Sequence, residues 1–133
     1  MIDFETWFSQ IVTTCELVAS EDALPRTWVG GERSVTSIID FGELYEQVFG
    51  DLDSEACLAK FASAMGTQTR LTVETFLSSI KKLDSVAGND PDLNKPAKLL
   101  ASVAWREVKE AAMAVIEMPT ARKYRSGRDD IRI

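Results

Sequence analysis

Residues 95–117, KPAKLLASVAWREVKEAAMAVIE, decide the fold. Leu99, Leu100, Val103, Ala104, Val108, Ala111, Ala112, Val115 and Ile116 recur there at the three- and four-residue intervals of an α-helix. Their apolar arc is wider than a surface helix touching one neighbour requires, so this helix is expected at the centre, as the most buried element. Pro96 stands in the first turn, where a missing N–H costs little, and Pro119 ends the pattern. A long apolar helix needs other helices to cover it, and the rest of the chain supplies them.

Phe4, Trp7, Phe8, Ile11, Cys15, Val18 and Ala19 predict a helix over 4–19, with Asp3 as N-cap and Glu5 in the first turn. The Glu21–Pro25 stretch breaks it, and Trp28–Ser34, with Gly30 and Gly31, reads as a longer connection. Asp40 and Glu43 have capping-box spacing before Phe41, Leu44, Tyr45, Val48 and Phe49, a short helix ending at Gly50. Asp53 or Ser54 caps a third helix through Cys57, Leu58, Phe61 and Met65, stopped by Gly66. A fourth starts at Thr72 and carries Val73, Phe76, Leu77, Ile80, Leu83 and Val86 to Gly88. Only Ser34–Ile39 has the look of a strand. The expectation is an all-α single domain over 1–133, a compact bundle of about five helices with a long central C-terminal helix and a basic, solvated tail over 119–133. Trp7 and Trp105 are expected to pack in it.

At 133 residues, with 45% apolar and 27% charged residues, only 7 Gly and 4 Pro, the composition excludes collagenous, low-complexity and wholly disordered chains. No apolar run approaches the roughly 18 residues needed to span a bilayer. The start MIDFETWF lacks the basic region of a secretory signal, so a cytoplasmic protein without membrane attachment is expected. Charge is unevenly divided. Residues 1–59 hold twelve acids against Arg26 and Arg33, a net −10, whereas residues 60–133 hold thirteen bases against nine acids, a net +4. Asp40, Glu43, Glu46, Asp51, Asp53 and Glu55 follow one another with no base among them. Such a segment repels phosphate backbones and attracts cationic partners.

The chain has no histidine, which removes the commonest acid–base and nucleophilic machinery. Cys15 and Cys57 fit no metal spacing and read as buried free thiols, so no metal and no cofactor is expected. Ser78 with Lys81, and Ser79 with Lys82, match S-x-x-K, but without the elements that give the motif meaning. Glu43/Glu46 and Glu107/Glu110 are carboxylate pairs with no apolar cleft to raise a pKa. Asp51–Glu55 imitates a calcium loop until Ala56 and Ala62 occupy the positions that need Gly and Glu. A protein that binds, and is not an enzyme, is the expectation.

Phe61-Ala62-Ser63-Ala64-Met65-Gly66 resembles the core of a helix-turn-helix, over about 25 residues in all, which would imply a DNA-binding regulator. The later apolar positions, Val73, Phe76 and Leu77, are out of register with that family by one, and acidity disfavours nucleic acid. In overall character the chain is similar to the immunity proteins of bacterial toxin systems such as colicins and contact-dependent inhibition. They are small, cytoplasmic and often acidic, because many of their toxins are basic nucleases. That likeness is one of type and rests on no motif. It implies an antitoxin-like inhibitor that occludes a basic, nuclease-like toxin. A phage-type inhibitor or adaptor subunit shares the same features. The candidate partner-binding residues are Asp40, Glu43, Glu46, Asp51, Asp53 and Glu55, with Tyr45 or Trp28 as an anchor inside the charged rim; for Trp28 itself docking back on the core is the expectation, and exposure as an anchor its alternative.

Overall fold

The computed structural model describes residues 2–125 apart from Ser34 and Ser37, and every regular element among them is helical. The first helix, α1 (Phe4–Ala19), begins where Asp3 Oδ1 accepts the Thr6 amide at 2.8 Å. It turns Trp7, Phe8, Ile11, Val12, Cys15 and Val18 inward. Ser20 ends it in extended backbone, and the Ser20 Oγ then accepts the Ala23 amide. A π-helical turn over Pro25–Val29 follows. The segment from Glu32 to Asp40 forms no strand among the described residues, in contrast to the strand considered for Ser34–Ile39.

Two successive turns make up the next unit, α2 (Phe41–Tyr45) and a wider π-helical turn over Glu46–Asp51. Helices α3 (Ser54–Lys60) and α4 (Ala62–Met65) lie where one helix was expected. They part at Phe61, whose backbone leaves the helical range while its ring packs on Phe4 and Trp7. Gly66, at φ 81° and ψ 162°, turns the chain directly into α5 (Thr67–Gly88), a region open to glycine and closed to other residues. Helix α5 starts five residues before the expected Thr72. Thr69 explains the difference: it is buried, and its hydroxyl bonds that of Thr120 at 2.8 Å.

The expected helix over 95–117 is two helices, α6 (Pro96–Leu100) and α7 (Val103–Glu117). Ser102 separates them: its Oγ donates to Leu99 O at 2.7 Å and accepts the Trp105 amide at 3.1 Å, capping α7. The break turns both Leu99 and Trp105 toward the core. Helix α7 lies between α1 and α5, which confirms its central place. It is not the most buried element, however. Val103 is 65% exposed and Met113 42%, while α1 buries Trp7, Phe8, Ile11, Val12 and Cys15 completely. Alanine explains the misreading, since Ala104, Ala111 and Ala112 widen the apolar arc of α7 but bring little side chain to bury. Each large side chain such as Phe8, Phe76 or Ile80, fully enclosed, contributes about 1.5–3 kcal/mol.

The described part of the tail lies against α1, with Arg122 and Lys123 exposed. Pro119–Tyr124 is a 3-10 turn docked on α1, with Ala121 buried and the Tyr124 ring edge-on to Phe8 at 5.3 Å. Lys123 and Arg125 face Glu5 and Glu16 of α1 across 3.8 and 4.0 Å. Residues 126–133, which complete the proposed tail and include Arg128, lie outside the described residues.

Candidate functional site

The acidic segment owes its geometry to a four-residue apolar rhythm. Leu44, Val48 and Leu52 point into the core, so the residues between them face water. Asp40, Glu43, Glu46, Asp51, Asp53 and Glu55 are all exposed. Asp40 caps α2, its Oδ1 accepting the Glu43 amide at 2.8 Å. The π-helical turn places Leu52 N on Gln47 O at 3.0 Å, and the Glu46 carboxylate folds over Gly50, where a Cβ would collide with it. Asp53 was expected as a possible cap. It occupies the N-cap position in left-handed backbone, φ 46°, but its side chain caps nothing. Ser54 is not a cap either: it is fully buried, and its Oγ accepts the Trp7 indole N–H.

Pairing divides this segment into two classes. Lys81 of α5 reaches Glu55 at 2.5 Å, with its ammonium 5.5 Å from the Phe49 ring centroid, so a base does cancel Glu55. The hydrogen bond to Glu55 holds the Lys81 pKa above its ordinary value. Among the described residues Asp40, Glu43, Glu46, Asp51 and Asp53 meet no Lys or Arg. Elsewhere part of the uneven charge of the two halves is offset within the fold. Glu5, Glu16 and Glu21 of the first half pair with Lys123, Arg125 and Lys109 of the second. The run from Asp40 to Asp53 is the longest stretch of successive acids without an ion pair among the described residues, though Asp3, Asp84, Asp90, Asp92, Glu110 and Glu117 also stand outside any pair there.

Neither expected anchor projects from this face. Trp28 is 7% exposed, donates its indole N–H to Ile38 O at 2.9 Å and lies 5.4 Å from Trp105. It is a core residue. Tyr45 is half-buried between Phe41 and Phe49, with ring centroids 6.5 and 4.7 Å away. Instead of a protruding ring the face has a hollow at its edge. A cavity of about 350 Å3 opens beside Asp40 and Phe41, and Trp28, Leu99 and Asp84 also line it.

The remaining chemistry candidates are not assembled. Ser79 Oγ donates to Phe76 O, Lys81 is held by Glu55 and Lys82 by Glu107 at 3.0 Å, so neither S-x-x-K pair forms. Cys15 and Cys57 are buried free thiols; burial pushes both pKa values up, that of Cys15 strongly. Among the described residues no three Cys, Asp or Glu side chains come together where they could hold a metal ion, and no helix is long and apolar enough to cross a membrane.

Comparison with family models, with curated proteins and with solved structures returned no match. Sequence reasoning missed Asp84, Leu93 and Pro96, which join Asp40 and Phe41 around the cavity. The turn cluster at Asn89–Asp92 was the only signal near them, and it showed a reversal of the chain without showing what the reversal faces.

Proposed function

We propose that this chain is an acidic protein-binding module of the immunity or antitoxin type, which neutralises a basic, nuclease-like toxin in the cytoplasm by covering its cationic surface. The observation that carries this reading is the exposed run of Asp40, Glu43, Glu46, Asp51 and Asp53, left without a cation among the described residues while most other acids of the first half are paired. A field of one sign on one face speeds encounter with an opposite charge and orients it. The role needs no catalytic group of this chain. The DNA-binding alternative draws no support from the arrangement. Gly66 alone separates α4 from α5, and Arg70, the prominent base of the would-be reading helix, pairs with Glu74 at 3.1 Å.

The test is kinetic. The full chain, immobilised, is expected to retain a basic protein at low ionic strength and to release it as salt rises. Replacing Glu43→Gln and Glu46→Gln together is expected to slow association with that protein several-fold and to leave the thermal midpoint unchanged. Both side chains are exposed and outside any ion pair, so the fold does not depend on their charge. Retention indifferent to salt, or an unchanged association rate at low salt, would end this reading.

A further inference from the structure

We infer that the cavity lined by Asp40 and Asp84 is a socket for a guanidinium side chain presented by the partner. The inference rests on the reading above and supplies what that reading lacks, an anchor. A charged face steers, but long residence needs a desolvated contact at its centre or edge. Trp28 and Tyr45 are both tied into the fold, so neither offers a projecting ring. The insertion must run the other way, from partner into hollow.

Four features fit an arginine. The cavity, about 350 Å3, falls at the small end of ligand-sized cavities, roughly 300–1,000 Å3. Its lining includes Trp28, Phe41, Leu93 and Leu99, aromatic and apolar residues beside which a flat, weakly hydrated cation is accommodated better than an ammonium. Its two charged lining residues are both acids. Asp84 makes no hydrogen bond or ion pair among the described residues, and Asp40 has one oxygen on the Glu43 amide and the other uncommitted. Asp84 also lies one turn before the C-terminal end of α5, which carries the negative pole of a 22-residue helix. The groove between α5 and α7 is a contrast, because Lys82 and Glu107 already close an ion pair beside it.

Gly88 is part of the cavity lining, and a Cβ built there meets nothing within 4 Å, so a side chain is tolerated by the fold and a long one is expected to reach into the cavity. This provides a block independent of charge. Five guanidinium N–H donors match the several oxygens of two carboxylates better than the three of an ammonium.

The probe is N-acetyl-arginine amide, titrated into the full chain and followed by amide and indole NMR, with the citrulline and lysine analogues as controls. Saturable shifts are expected at the Trp28 indole N–H and at the Phe41 and Gly42 amides, with none for citrulline. Asp84→Asn is expected to weaken binding about tenfold, the worth of a charge-assisted contact. Gly88→Leu is expected to abolish it with an unchanged thermal midpoint. The socket is overturned if citrulline or lysine binds as well as arginine, or if neither variant alters the titration. The two ideas fail separately. Loss of the socket with a persistent Glu43/Glu46 effect on association removes only the socket, whereas an unaltered association rate removes the proposed function, whatever arginine does.

Discussion

The indole N–H of Trp7 donates to Ser54 Oγ at 3.2 Å, and both residues are fully buried. This bond joins α1 to the first residue of α3 across 47 positions of sequence. It also sets the rotation of the acidic segment, because turning Ser54 inward turns Asp53 and Glu55 outward. Ser54→Ala leaves a buried N–H without an acceptor and is expected to cost about 1–3 kcal/mol in urea unfolding. Combined with Trp7→Phe, the loss should be smaller than the two single losses added together.

Gly66 and Gly88 predict opposite outcomes for the same substitution. Gly66→Ala forces a Cβ into φ 81°, ψ 162° and is expected to destabilise by about 1–3 kcal/mol. Gly88→Ala adds a side chain in open space at a helical position and should be neutral or stabilising by up to about 1 kcal/mol. Thermal unfolding of the two variants side by side checks the difference.

Lys81 is the base that offsets the acidic face. Lys81→Gln frees Glu55 and should raise the association rate with a basic partner on the order of twofold at low salt. The pair is exposed, so its loss should cost no more than about 1 kcal/mol of stability. A slower association would show that Lys81 itself touches the partner.

Alkaline pH should weaken the fold. Burial raises the pKa of Cys15 strongly and that of Cys57 less, while burial and Glu5 raise that of Tyr124. For a group raised in the folded state, the unfolded chain releases its proton first. The stabilisation is therefore complete below the ordinary thiol pKa of about 8.5 and is lost as pH climbs through the folded value. Urea midpoints are expected to be lower at pH 10 than at pH 7. Cys15→Ala should start lower, from the lost packing, and change less between the two pH values.

Much of the architecture is written locally. Asp3 before Phe4, the three- and four-residue spacing in 4–19, and the apolar stripe of Val73, Phe76, Leu77 and Ile80 depend on neighbours within one or two turns, and such patterns survive in a single sequence. The acidic run from Asp40 to Glu55 was legible for the same reason. Its exposure followed from the buried Leu44, Val48 and Leu52 spaced between the acids.

What tertiary structure alone decided is where distant segments meet. Ser102 could read as one more polar residue of a long helix, and only the need to seat both Leu99 and Trp105 in one core made it a cap. Trp28 sits beside two glycines, a local setting equally suited to an anchor, yet its N–H found Ile38 O and its ring found Trp105. Lys81 cancels Glu55 from 26 residues away, and Asp84 and Asp40 line one hollow that neither segment forms by itself. Helical periodicity tells which side of a segment turns inward. Which residue of another segment it will find there depends on how whole helices settle against one another, and that is a property of the packed chain.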